Sequence, residues 1–179
     1  MKTQKRTRWK AKLCILVSLA ATPCLAAQEG HDAPQSQPKY TLASICGDYG
    51  AVATYGANVA RALGTESFDG HGNLTGSAIV NQPGSNSTRS ITSISLSGTY
   101  SVKPDGTGKM LLTVTLPDGA TATVTEDFVI TKSRVISGVE VATEIEDAQE
   151  VPSAVIDDSS LVIHTYTLRG TPKSCALQK

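Results

Sequence analysis

The sequence predicts an all-β fold: an antiparallel up-and-down β-barrel of about eight strands, with a β-sandwich as the alternative. Three observations predict it. From Ile94 to Val102 every even position is apolar or glycine (Ile94, Leu96, Gly98, Tyr100, Val102), and every odd position from Ser93 to Ser101 is Ser or Thr. That is the period-2 pattern of a strand with one face on a core and a hydroxyl face on solvent. Hairpin chemistry then recurs at Asp69-Gly70-His71-Gly72, Pro104-Asp105-Gly106-Thr107-Gly108 and Pro117-Asp118-Gly119. Finally, seven or eight alternating segments follow one another with little chain left for Greek-key crossovers, which favours consecutive hairpins.

Residues 1–26 read as a Sec-type signal peptide. Met1 to Lys12 carries six basic residues and no acid, and Leu13 to Leu25 is an apolar run too short for a permanent anchor. Cleavage fits best after Ala26, with Cys24 and Ala26 at the −3 and −1 places. A lipoprotein needs a small residue before the modified cysteine, and Pro23 precedes Cys24. Sixteen acids but only ten of the sixteen Lys and Arg follow residue 27, so the remainder carries 10 − 16 = −6. An acidic chain argues against nucleic acid or anionic membrane as the main partner. No later stretch is long and apolar enough for a transmembrane helix, and the expected location is secreted or periplasmic.

Residues 27–43 are polar, carry two prolines and read as a flexible linker. Residues 44–179 form a single barrel domain. Strands are expected at Asp48–Gly56, about Val59–Phe68 and Asn73–Gln82, with a short helix as the competing reading for Ala57–Leu63. Pro83–Ser90 is a loop. After the central hairpin come Ala120–Thr131, about Val135–Ile145 and Leu161–Arg169. Between the last two, Glu146–Ser160 reads as an acidic connection. Cys46 and Cys175 survive removal of the leader near the two ends of the domain, so one disulfide is the simplest reading in an oxidising compartment, against two unpaired thiols. The turns in FDGHGNLTG (68–76) and KPDGTGKML (103–111) echo each other, and convergent hairpin chemistry explains them as well as duplication does.

In this order, FDGHGNLTG, SGTYSVKPDGTG and EDFVI resemble a family of small secreted bacterial proteins of uncharacterised function. The resemblance spans about residues 46–170. It implies a calycin-like barrel and a bacterial exported protein, and it supplies no catalytic residues. GNLTGS and LSGTY are loosely similar to the biotin-binding avidins, whose ligand stacks on tryptophans. The only tryptophan here is Trp9, in the leader, so biotin binding is not carried over.

No catalytic or metal signature is present. His31, His71 and His164 are scattered, HxH, HExxH, CxxC and Gly-x-Ser-x-Gly spacings are lacking, and no cofactor or metal is expected. Glu140–Asp158 holds seven acids without the DxDxDG spacing of a calcium loop, and reads as a solvated acidic surface. Glu126 is the sharpest anomaly, because alternation puts it on the apolar face of Val124 and Phe128, where a carboxylate must be paired, protonated or bound. Arg61 and Arg169 are the expected partners. His164 alternates with Val162, Tyr166 and Leu168 as a wall histidine. The candidate ligand-binding residues are therefore Glu126, His164, Tyr166 and Arg169. The expected function is a secreted barrel that binds a small apolar ligand or a protein partner and performs no chemistry. The alternatives are a cofactor-free cyclase or isomerase with its site in the lumen, and a solidly packed envelope or host-facing interaction protein.

Overall fold

Eight strands close an up-and-down barrel in chain order in the computed structural model, which describes residues 39–56, 60–150 and 162–172. They are β1 (Cys46–Tyr55), β2 (Ala60–Asp69), β3 (Asn73–Pro83), β4 (Arg89–Val102), β5 (Thr107–Thr115), β6 (Thr121–Ile136), β7 (Val139–Gln149) and β8 (Val162–Leu168). Each is antiparallel to its neighbours, and β1 pairs with β8, so no sheet edge is left for a sandwich. Residues 1–26, read above as a signal peptide, Cys175 and the end of the expected acidic connection lie outside the described residues.

Period-2 alternation sets the faces, and the inward set is one continuous apolar core from Tyr49 and Phe68 to Ile145 and Tyr166. Outside, Val52, Leu63 and Ile79 sit opposite one another across β1, β2 and β3, at 41, 60 and 54 % exposure.

The structure moves three boundaries. The predicted strand Val135–Ile145 is the end of β6, a turn and most of β7. Ser137 and Gly138 both have positive φ (50° and 84°), as a two-residue type I′ hairpin requires. β7 then continues to Gln149, so Glu146–Gln149 is strand and not connection. The linker also ends sooner than expected. Tyr40 is buried against the turn at Gly106 (φ 89°), its hydroxyl is 3.1 Å from Ser133 Oγ, and Leu42–Ser44 makes one 3-10 turn into β1.

Because the strands run up and down, the β2–β3, β4–β5 and β6–β7 hairpins share one end of the barrel with the chain entry. Aromatic rings fill that end. Phe68 meets Tyr49 at 5.3 Å, Tyr100 at 5.3 Å and Tyr166 at 6.3 Å, all edge to face. The buried hydroxyls are satisfied: Tyr49 donates to Ala142 O at 2.8 Å and Tyr100 to Ile45 O at 2.7 Å. Cys46 is fully buried here.

Candidate functional site

Above that aromatic plug the inward positions turn polar. Glu66 of β2, Glu126 of β6, Asp147 and Gln149 of β7 and His164 of β8 point into the lumen, and the first four are 3, 2, 4 and 6 % exposed. Each occupies an ordinary inward place in its strand: Glu66 between Gly64 and Phe68, Glu126 between Val124 and Phe128, Asp147 between Ile145 and Gln149. Barrel closure supplies the convergence. Asp147 lies directly opposite His164, and Glu126 opposite Gln149, one inward place along from Asp147. Glu66 lies opposite Gly76, where a Cβ would stand 2.6 Å from Glu66 Cγ, so the missing side chain makes room for the carboxylate.

Asp147 is the hub. Its Oδ1 accepts the backbone N–H of His164 at 3.0 Å and lies 2.7 Å from His164 Nδ1, while its Oδ2 accepts the Tyr166 hydroxyl at 2.9 Å. His164 Nδ1 is also 3.7 Å from Glu126 Oε1. One oxygen each of Glu66 and Glu126 is buried with no hydrogen-bond partner. One donor atom from each of Glu126, Asp147 and His164 falls within 4.8 Å of the other two.

Three carboxyl groups thus face one imidazole, and no Lys or Arg is buried among the described residues. Burial pushes Glu66 up to about 7, His164 opposing and Asp147 adding to the rise. Glu126 is pushed higher still, again by burial first. Burial alone would lower His164, but its hydrogen bond to Asp147 and the surrounding carboxylates outweigh that and raise it. Burial and the same carboxylates drive Tyr166 well above the ordinary phenol range. The physical content is common to all four: an interior short of positive charge retains protons.

A cavity of about 40 Å³ opens from this floor away from the aromatic end, walled by Ala51, Ala53, Ala62, Ala78, Leu112 and Val124. It has room for about three water-sized groups. Small-molecule sites usually enclose roughly 300–1,000 Å³, and this cavity is well below that range.

Of the residues singled out from sequence, Glu126, His164 and Tyr166 come together. Arg169 does not: it follows the end of β8, exposed on the outside. Arg61 is also exposed, because its odd place in β2 points away from the lumen. Glu126 therefore has His164 as its cationic neighbour, and neither arginine. Glu66 and Asp147 were not singled out. The alternation Ala60, Ala62, Gly64, Glu66, Phe68 carries the same signal as that around Glu126, whereas Asp147 was hidden by reading Glu146–Ser160 as a connection. The scattered histidines argued against a metal centre, yet one histidine meets two carboxylates from neighbouring strands, a grouping that sequence spacing does not display.

No protein-family model, curated protein or solved structure matches this chain.

Proposed function

We propose that this protein is an exported, non-catalytic barrel that holds a small cation at the polar floor of its lumen. The observation that carries this reading is the pair of orphaned oxygens, Glu66 Oε2 and Glu126 Oε2, both buried beside one cavity. Buried acceptors almost always have a donor or an ion, and leaving one bare costs about 1–3 kcal/mol. The charge count agrees, with Glu66, Glu126 and Asp147 facing His164 and, among the described residues, no buried Lys or Arg. Apolar walls accept a short hydrocarbon tail on the cation, but the free volume limits the whole guest to a few heavy atoms. Export is supported by the basic, then apolar, leader and by the resemblance to secreted bacterial proteins.

Thermal melting of the exported protein with methylammonium and with divalent cations at millimolar concentration tests the reading. A cation should raise the Tm of the parent and leave a folded Glu66→Gln/Glu126→Gln variant unmoved. If no cation shifts the parent, or the double variant responds equally, the lumen is not a cation site.

One observation favours a second reading, a cofactor-free acid–base enzyme. Asp147 sits behind His164 at 2.7 Å while His164 faces the cavity, the arrangement by which a carboxylate orients a catalytic imidazole. Exchange of carbon-bound protons in small carbonyl compounds, followed by NMR in D2O, tests it. Exchange lost on His164→Gln would favour the enzyme over the binding barrel.

A further inference from the structure

We infer that the cation is a divalent transition-metal ion, bound by His164 Nδ1 and by one carboxylate oxygen each from Glu126 and Asp147, with Glu66 facing it across the cavity. The inference rests on the cation-binding reading and narrows it to one ligand class. Separation of the donors is the first ground. Ligands about 2.0–2.2 Å from a tetrahedral ion stand roughly 3.4 Å apart. Here Nδ1 lies 2.7 Å from Asp147 Oδ1 and 3.7 Å from Glu126 Oε1, so small shifts in either direction produce the cage.

Charge is the second ground. Two carboxylates and a neutral imidazole bring two negative charges, which a divalent ion cancels and a monovalent one does not. In a water-poor interior that difference counts heavily. The donor types agree, since imidazole with carboxylate suits zinc and its neighbours better than magnesium or calcium, which prefer all-oxygen sets.

Orientation is the third. The Tyr166 hydroxyl and the His164 backbone N–H both donate to Asp147, fixing the carboxylate from behind as outer partners fix metal ligands. All three ligands stand on the adjacent strands β6, β7 and β8, a rigid part of the closed sheet. The Glu126 oxygen left bare and the cavity beside it supply what a ligand cluster alone lacks: an unsatisfied group and space for an ion and a water or two.

The test uses exported protein stripped with EDTA, dialysed and titrated with ZnCl2 by calorimetry. One Zn2+ per chain is expected. Glu126→Gln and His164→Gln, each confirmed folded by circular dichroism, should weaken it by more than about 100-fold, and Tyr166→Phe, a positioning change, by about 10–100-fold. His31→Ala and His71→Ala should leave it unchanged. Co2+ in place of zinc should give a visible absorption band that folded Glu126→Gln lacks. If zinc binds folded Glu126→Gln as tightly as the parent, or follows His31 or His71, the metal inference is overturned. If methylammonium raises the Tm and zinc does nothing, the cation reading stands and the metal falls; if neither acts, both fall.

Discussion

The two ends of the barrel use the same strands for different purposes. At the entry end, large rings from four strands interlock around Phe68, and the buried hydroxyls of Tyr49 and Tyr100 each find a carbonyl. Beyond mid-barrel the inward side chains of β1, β2 and β3 shrink to Ala51, Ala53, Ala62, Gly64 and Ala78, and the space they vacate is floored by the carboxyl groups of Glu66 and Glu126, Gln149 and the His164 imidazole. The first end is built for stability, since its rings interlock and its buried hydroxyls are satisfied. The second gives up packing and leaves two oxygens bare, and such a region is where binding energy is available.

The largest effect should come from the entry end. Cys46 lies buried there, and we expect it to be joined to Cys175, which falls outside the described residues. Closing so long a loop stabilises by about 4–5 kcal/mol in the chain-entropy model. Intact mass before and after reduction and alkylation decides the bond, and urea titration of the reduced protein measures its worth; two freely alkylating thiols in the native protein end the idea. Next, Phe68→Ala should cost about 3–5 kcal/mol by the same titration, because it empties the centre of the ring cluster. A loss below 1 kcal/mol would remove the contrast between the two ends.

At the hollow end the sign should reverse. Glu126→Gln replaces a carboxyl that must take up a proton to be buried there with an amide that is neutral in both states, so the metal-free variant should be as stable as the parent or more so, by about 1 kcal/mol. The pH dependence sharpens this. Folded, Glu66 and Glu126 keep protons that the unfolded chain, with carboxyls near 4.5, releases. Unfolding therefore releases protons above that pH, and stability should be greatest below 4.5 and fall as pH rises, through about 7 for Glu66 and higher for Glu126. Melting curves from pH 5 to 9 should show a decline that Glu126→Gln flattens; parallel declines would mean that Glu126 does not hold the proton. The smallest effect is expected from Ala62→Val, which adds two methyls to the cavity wall and should change stability by less than about 1 kcal/mol. It should nonetheless narrow the lumen and weaken the Tm response to any cation.

Much of this architecture is a property of the chain itself. Alternation alone put Glu126, His164 and Tyr166 on inward faces, and the Asp-Gly and Pro-Asp-Gly turns marked hairpins that the barrel contains, because side-chain direction in a strand and positive φ in a tight turn are decided within a few residues. The Ser137-Gly138 turn is equally local, yet the alternation of Val135 to Ile145 masks it, since that stretch looks strand-like on both sides of the turn. Which inward residues meet is a different matter. Asp147 reaches His164 only because β7 runs four residues past its last large apolar side chain and pairs with β8 in one register, and Glu66 joins them only because β1 closes onto β8. Arg61 and Arg169, the partners that charge alone would choose, are kept outside by the same pleat that turns Glu126 in. Local periodicity fixes a face, whereas a constellation drawn from β2, β6, β7 and β8 depends on register and closure, which set the distances between residues far apart in the chain.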